Sequence, residues 1–344
     1  MEGKIVLEEH FSTELNNKHW DAKGEEGRNG RAYAQDIERR LLDPELCIAE
    51  MDRSGIELCI MSLTSPGVQG VIDPKQAIEL ARSANDYAHS FIQKYPGRFA
   101  SFAAVAMQDP EGAADELEQA VSELGLKGAL INGYSNIGPD EHVQYLDEEP
   151  ARVFWERVSK LNVPVYLHPR EPLPSQTRAI KGYPELVGSA WAFAYETASH
   201  AIRLMLSGLF DEYPNVQVIL GHMGEGLPFM LPRMQHRLDE QREGTKGAKA
   251  KQRPSYYFSN NFWITTSGHF HTKPFLEAIE QMGVERVLFS ADYPYEQMDM
   301  AGRWLDDMQL DNATKLKVGR ENANKLFSLN LSPLPERVAA GFGS

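Results

Sequence analysis

The 344-residue sequence predicts an α/β protein built as a (β/α)8, TIM-type barrel. Three observations carry that expectation. Short β-rich runs alternate with longer amphipathic segments along the chain. Eight such runs occur. Each is almost continuously apolar, as strands covered on both faces of a parallel sheet are. An open doubly wound sheet is the runner-up, but no GxGxxG follows any of the runs.

In order, strands are expected at 4–8 (KIVLE), 57–63 (ELCIMSL), 99–105 (FASFAAV), 128–132 (GALIN), 164–168 (PVYLH), 216–221 (VQVILG), 262–266 (FWITT) and 287–291 (VLFSA). Helical periodicity marks 74–94, 111–124, 150–161, 196–212 and 272–282 between them. Residues 1–328 read as a single barrel domain and 329–344 as a C-terminal arm against a neighbouring subunit. Two inserts break the rhythm: 12–35 after the first strand and 169–195 after the fifth. In a barrel both lie over the C-terminal mouth, where loops of this length are usually functional. Residues 240–255, polar and basic, read as a solvated excursion.

Composition narrows the function classes. A formal net charge of −14 argues against a nucleic-acid partner, which needs a basic face. No apolar run is long enough for a membrane span, and the N-terminus lacks the basic and apolar regions of a signal peptide. Cys47 and Cys59 form no CxxC and read as reduced core thiols of a cytoplasmic protein.

The strand ends carry the chemistry. GKIVLEEHF places Glu8 and His10 at the end of the first strand, on one face by alternation, with Glu9 turned toward the helices. His168 ends the fifth strand, in YLHPRE, and Asp292 follows the eighth, in FSADYP. Strand ends converge at the mouth, so Glu8, His10, His168 and Asp292 form a candidate site for one divalent ion per subunit. Two imidazoles and two carboxylates suit Zn²⁺ or Mn²⁺, with Mg²⁺ a further alternative. No organic cofactor is implied. Each residue also has a plainer reading: a satisfied structural histidine, a barrel ion pair for Glu8, a helix cap for Asp292.

His222 ends the sixth strand, and Glu225 follows it in GHMGEG. On the first turn of the next helix, Glu225 would reach back and orient the imidazole as an acid–base group. Its plainer role is to complement the helix dipole. Arg233, eight residues on, is a candidate for binding a substrate carboxylate, in its own subunit or a neighbour's, or else a snorkelling surface side chain. His269 and His271, in TTSGHFHT, form the competing H-x-H pair but follow a glycine turn and read as mouth-lining. His200 reads as a packing residue.

The E-x-H, HPR, GHMGEG and SADYPYE motifs together resemble the metal-dependent aromatic acid decarboxylases of the amidohydrolase superfamily. The resemblance runs from residue 1 to about 328, through WAFAYETASHAIRLMLSGLFDEYP, ITTSGHF and VGRENANKLF. It is greatest to the branch acting on 2,6-dihydroxybenzoate (γ-resorcylate), which shares His10; the 2,3-dihydroxybenzoate and salicylate branches have alanine there. The resemblance implies a distorted (β/α)8 barrel and a homotetramer, with a homodimer as the smaller alternative. It implies Glu8, His10, His168 and Asp292 as metal ligands, His222 and Glu225 as the catalytic pair, and Arg233 at the substrate carboxylate. The implied reaction is non-oxidative decarboxylation of an ortho-hydroxybenzoic acid, with 2,6-dihydroxybenzoate giving resorcinol and CO₂, reversible as phenol carboxylation. Asp292 is the first candidate for the proton donor and His222 the second. Residues 12–35 depart from the family, whose members place an aromatic residue of this loop in the pocket; here Trp20 and Tyr33 are the aromatic residues available. A metal-dependent lactonase or amidase on the same barrel is the alternative enzyme. Those hydrolases commonly open with H-x-H, where this chain has E-x-H.

Overall fold

The computed structural model describes residues 1–19, 23–241 and 249–334. Eight strands form the core: β1 (Lys4–Phe11), β2 (Ile56–Leu63), β3 (Phe99–Ser101), β4 (Ala129–Asn132), β5 (Val165–His168), β6 (Val218–Leu220), β7 (Phe262–Thr265) and β8 (Val287–Leu288). Parallel ladders join β1 through β3 and β4 through β8 in chain order. An isolated parallel bridge, Ala103 to Ala129, links the two sets. Among the described residues no ladder joins β8 to β1. There, Leu7 N and Glu8 N donate to Ser290 Oγ at 3.0 and 2.7 Å, and His10 N donates to Tyr293 O at 2.7 Å. The barrel is therefore closed at this seam largely through a side chain.

β1 is not a simple alternating strand. Val6 pairs with Cys59 and Glu9 with Met61, so three steps along β1 match two along β2. This is a β-bulge at Leu7–Glu8. Ile5 and Leu7 belong to the inner cluster with Ile60, Phe102, Tyr166, Ile219 and Leu288, while Val6 packs in the outer layer against the helices. The bulge lets Leu7 and Glu8 face inward in succession. β1 thus delivers apolar side chains to the barrel interior and then Glu8 and His10 to its mouth. Glu9 faces away from the interior, as alternation predicts, but into the β8–β1 seam rather than the helix layer.

Three helices, Pro44–Ser54 and the two that follow β2 and β3, begin where an aspartate precedes a proline. Asp73 accepts from Gln76 N (2.8 Å) ahead of helix Pro74–Lys94, and Asp109 accepts from Gly112 N (3.2 Å) ahead of Pro110–Ser122. The aspartate oxygen satisfies an orphan amide, and proline fits the first helical turn, where its missing N–H costs nothing. Helices Arg152–Leu161, Ala192–Leu206 and Thr272–Met282 fall where periodicity predicts them.

Several strands are shorter than expected, β6 among them, and at β3 and β8 the backbone beyond the strand is captured by groups outside the sheet. Beyond β3, Ala104 N donates to Asn85 Oδ1 (2.8 Å). Beyond β8, Phe289 N donates to Val318 O (3.0 Å) and Ser290 N to Thr266 Oγ1 (3.0 Å). The 12–35 insert is helical in part, with Glu14–Asn17, Lys23–Asn29 and the start of Arg31–Leu42; Trp20 lies outside the described residues. The 169–195 insert carries 3-10 turns at Gln176–Ile180 and Pro184–Leu186. Of the expected arm, residues 329–334 lie under this chain's own barrel floor, where Ser332 O accepts from Arg320 Nη2 (3.1 Å). Residues 335–344, and 242–248 of the polar excursion, lie outside the described residues. Both cysteines are buried and unpaired, and no described helix is long and apolar enough to cross a membrane.

Candidate metal and active site

At the mouth, Glu8 is fully buried and its two oxygens have different surroundings. Oε2 accepts from the hydroxyls of Tyr166, Thr265 and Ser267. Oε1 is buried with no hydrogen-bond partner. One oxygen is pinned and the other is presented to the centre of the mouth.

The imidazoles show the same division. His168 Nδ1 lies 3.0 Å from Pro169 O, and a carbonyl can only accept, so Nδ1 carries the proton. Its Nε2 lone pair faces Glu8 Oε1 at 3.5 Å. His10 Nδ1 is 3.0 Å from Ser62 Oγ, whose own proton goes to Glu9 O; this directs the His10 lone pair to Nε2. Nε2 of His10 is buried without a hydrogen-bond donor, 3.3 Å from Asp292 Oδ1. Burial, reinforced by the neighbouring His10, pushes His168 well below the usual histidine range. His168 is thus held neutral with a lone pair inward, and the contact of His10 Nδ1 with Ser62 turns its Nε2 inward, as in metal-binding histidines.

Two triads lie within ligand reach: His10, His168 and Asp292, and Glu8, His222 and Asp292, each with donor atoms within 4.8 Å of one another. Glu8 Oε1 and His10 Nε2 are buried without a hydrogen-bond partner, and with the His168 lone pair and an Asp292 oxygen beside them they are what a divalent cation satisfies, so the residues present fit the implied ion. The two triads share Asp292 and adjoin where His168 Nε2 lies 3.5 Å from Glu8 Oε1, so the four expected ligands are neighbours at the mouth, with His222 beside Glu8 and Asp292.

His222 and Glu225 are not on a right-handed helical turn. His222, Met223, Gly224, Glu225 and Gly226 all have positive φ, at 49, 60, 75, 56 and 76°. The sequence expectation for Glu225 is corrected here: it precedes helix Leu227–Glu240, in a left-handed turn. Such a turn costs about 1–2 kcal/mol for each non-glycine residue. It still brings the two side chains together, with His222 Nδ1 2.7 Å from Glu225 Oε1. Gly221 ahead of the turn is equally constrained: a Cβ there would lie 2.6 Å from Glu8 Oε1.

His222 Nε2 points to Asp292 Oδ2 at 3.5 Å and Glu8 Oε1 at 3.7 Å. Burial disfavours its charge, but Glu225 and Glu8 outweigh that and hold it well above the usual range. Asp292 also has a positive φ, 86°. Burial raises its carboxyl, yet the charged His222 beside it holds it below the usual carboxylate range. His222 and Asp292 are the open side of the site, 23% and 15% exposed. The cleft in front of His222 has a volume of about 400 Å³ and is lined by His222, Met223, Pro228, Phe229, His269 and Lys273 among others.

The family model described as amidohydrolase matches residues 41–329. The chain belongs to the amidohydrolase family. This amidohydrolase is 45% identical over 333 residues to gamma-resorcylate decarboxylase of Rhizobium sp. (strain MTP-10005), covering 96% of this chain and 99% of the relative. It is 44% identical over 340 residues to gamma-resorcylate decarboxylase of Polaromonas sp. (strain JS666), covering 96% and 100%. Among solved structures, it matches a 2,6-dihydroxybenzoate decarboxylase complexed with 2,6-dihydroxybenzoate at a TM-score of 0.90, 45% identity, over 95% of this chain and 100% of the other. A dihydroxybenzoic acid decarboxylase from Polaromonas sp. JS666, with bound manganese and the inhibitor 2-nitroresorcinol, matches at 0.91, 45% identity, over 96% and 98%.

Arg233 of the amidohydrolase is not brought to the site within its own subunit. It is exposed on helix Leu227–Glu240, near the exposed Phe229 and Met230, and makes no ion pair among the described residues. His200 is buried and accepts from Leu146 N (3.0 Å), and burial lowers it to about 3, as a packed neutral histidine requires. His269 lines the cleft. Sequence reasoning missed the hydroxyl cradle of Glu8. Its signal was present in the ITTSG run, where Thr265 and Ser267 share one face.

Proposed function

We propose that this amidohydrolase is a divalent-metal-dependent, non-oxidative decarboxylase of ortho-hydroxybenzoic acids, with 2,6-dihydroxybenzoate as substrate and resorcinol and CO₂ as products. The observation that carries the reading is the pairing of two functions at one mouth. His10, His168 and Asp292 bring donor atoms together on one side, Glu8 Oε1 adjoins them at His168 Nε2, and a charged His222 faces Glu8 and Asp292. Two of the relatives above are named for that acid as gamma-resorcylate, one solved structure holds it bound, and another holds manganese with 2-nitroresorcinol.

Aromatic decarboxylation needs C1 of the ring protonated before the carboxylate leaves. Glu8, His10, His168 and Asp292 would hold a divalent ion, which would supply charge stabilisation and orientation for the anionic substrate. The proton comes from His222. Glu225 holds its Nδ1 and favours the charged ring, leaving Nε2–H to face the reacting carbon. Asp292, held ionised, is the poorer acid and serves as a ligand and as the acceptor that aims His222. After protonation at C1, the bond to the carboxylate breaks, its electron pair returns to the ring, and CO₂ leaves. His222 is then recharged from solvent through the cleft. By microscopic reversibility, resorcinol is carboxylated in high bicarbonate.

The exposed Phe229–Met230–Arg233 face is assigned to a subunit interface of a homotetramer, or at least a homodimer, across which Arg233 pairs with a substrate carboxylate. The two unpaired cysteines support a cytoplasmic location.

The test is direct. The protein loaded with Mn²⁺ is incubated separately with 2,6-dihydroxybenzoate, 2,3-dihydroxybenzoate and salicylate, and the phenol formed is read by chromatography. Resorcinol from the 2,6 isomer is expected. Formation of no phenol from any acid, together with turnover of a lactone, would replace the decarboxylase with a hydrolase.

A further inference from the structure

Glu9 stands between two metal-ligand candidates in sequence but faces away from them, fully buried. Its carboxylate accepts from three consecutive residues after β8: Ser290 Oγ to Oε2 (2.9 Å), Ala291 N to Oε1 (2.8 Å) and Asp292 N to Oε1 (3.3 Å). Ser290 Oγ in turn accepts from Leu7 N and Glu8 N. A hydroxyl has one proton and two lone pairs, so Ser290 is fully committed. The result is a closed clasp: β1 backbone to Ser290, Ser290 to Glu9, and Glu9 to the backbone of Ala291 and Asp292. It lies at the seam where no strand ladder joins β8 to β1 among the described residues. It also ends on Asp292, whose φ of 86° is a conformation that a residue with a Cβ keeps only when its surroundings hold it there.

The clasp joins the two sides of the proposed ion. Glu8 and His10 flank Glu9 on β1, and Asp292 is the last residue it binds. We propose that Glu9 is a positioning residue for the metal centre. Its carboxylate sets the spacing between the Glu8–His10 pair and Asp292 and fixes the backbone of Asp292, while touching neither ion nor substrate. This rests on the reading of Glu8, His10, His168 and Asp292 as ligands.

Glutamine cannot replace it. With the amide nitrogen in the place of Oε2, the proton of Ser290 loses its acceptor. With the amide flipped, the NH₂ group faces the two backbone N–H groups of Ala291 and Asp292. Either way one arm of the clasp opens, although size and shape are kept.

The experiment measures Mn²⁺ binding by electron paramagnetic resonance, titrating metal-free wild type, Glu9→Gln, Ser290→Ala and Asp292→Asn, with circular dichroism as the folding control. Glu9→Gln is expected to raise the Mn²⁺ Kd about 10–100-fold, the range for residues that orient ligands from behind, and to broaden the signal of the bound ion. Ser290→Ala, which opens the clasp from its other end, is expected to shift Kd in the same direction, and it decides the matter if Glu9→Gln does not fold. If Asp292→Asn weakens binding but Glu9→Gln and Ser290→Ala stay within about twofold of wild type, Glu9 has no positioning role and the ligand set stands. If Asp292→Asn binds as wild type does, the ligand set is wrong and this inference falls with it.

Discussion

Glu8, His10 and His168 stand on extended strand backbone and are buried, whereas His222, Glu225 and Asp292 stand at φ of 49, 56 and 86°. The first group faces its partners from strand backbone, with Glu8 turned inward by the bulge in β1, and is pinned by hydroxyls and a carbonyl. The second leaves the strands on strained turns and includes the two partly exposed residues of the site, of which His222 lines the cleft. The difference matches the roles proposed for these residues. Strand backbone keeps Glu8, His10 and His168 in one geometry without a positive φ. Asp292, the fourth proposed ligand, and His222, the proposed proton donor, must leave the strand axis and close the site from the front. Only an unusual turn offers that, and the surrounding contacts must offset its cost.

Replacing one residue from each group gives the sharpest separation. Glu8→Gln is expected to weaken Mn²⁺ binding by at least about 100-fold, because the pinned oxygen survives but the free oxygen loses its charge. His222→Asn is expected to keep Mn²⁺ affinity near wild type while lowering kcat about 10²–10⁴-fold. Metal titration beside steady-state kinetics checks both. Loss of metal in His222→Asn would erase the division and make His222 a ligand.

Glu225→Gln comes next. Glu225 helps hold His222 charged above its usual range, so the charged ring persists at high pH and is lost as pH rises through that raised value. Removing the carboxylate lowers the value. The basic limb of the pH–rate profile should move to lower pH, with kcat at its plateau reduced about tenfold. An unmoved limb would mean that another group sets it.

Gly221→Ala tests how closely the two groups abut. The backbone φ of −75° accepts alanine, so the effect is purely steric: its Cβ would lie 2.6 and 2.7 Å from the Glu8 oxygens. An increase in Mn²⁺ Kd of about tenfold is expected, measured by titration. Gly226→Ala should have the smallest effect. Its φ is 76° and nothing lies within 4 Å of the added carbon, so only backbone strain changes. Denaturant unfolding should show a loss of about 1 kcal/mol with metal affinity unchanged.

Much of the first group was readable from sequence, and much of the second was not, for one physical reason. Strand periodicity is written in the alternation of apolar residues, so Glu8, His10 and His168 announce their facing. Even there the reading was incomplete: the bulge at Leu7–Glu8 breaks alternation, and a run apolar on both faces conceals such a shift. His222 and Glu225 were legible as a pair, but the three glycines of GHMGEG were not read as a left-handed turn. Right-handed helix spacing gives the same i, i+3 proximity, so the pair looked helical. β3 and β8 were overextended because Asn85, Thr266 and Glu9, distant in sequence, take over their backbone bonds. Arg233 stayed open because its partner is not found among the described residues of its own subunit.

The bulge in β1 also determines where this chain tolerates a change in length. Inner-facing Ile5 and Leu7 and mouth-facing Glu8 and His10 are of opposite parity, and the one extra residue reconciles them. Deleting a residue between Val6 and Glu8 would remove the reconciliation. Either the apolar pair or the ligand pair would then turn to the wrong side. A deletion in the 12–35 insert carries no such penalty, because no strand register passes through it. Homologues of this chain should therefore vary in length immediately after Phe11 and keep the segment before it at constant length.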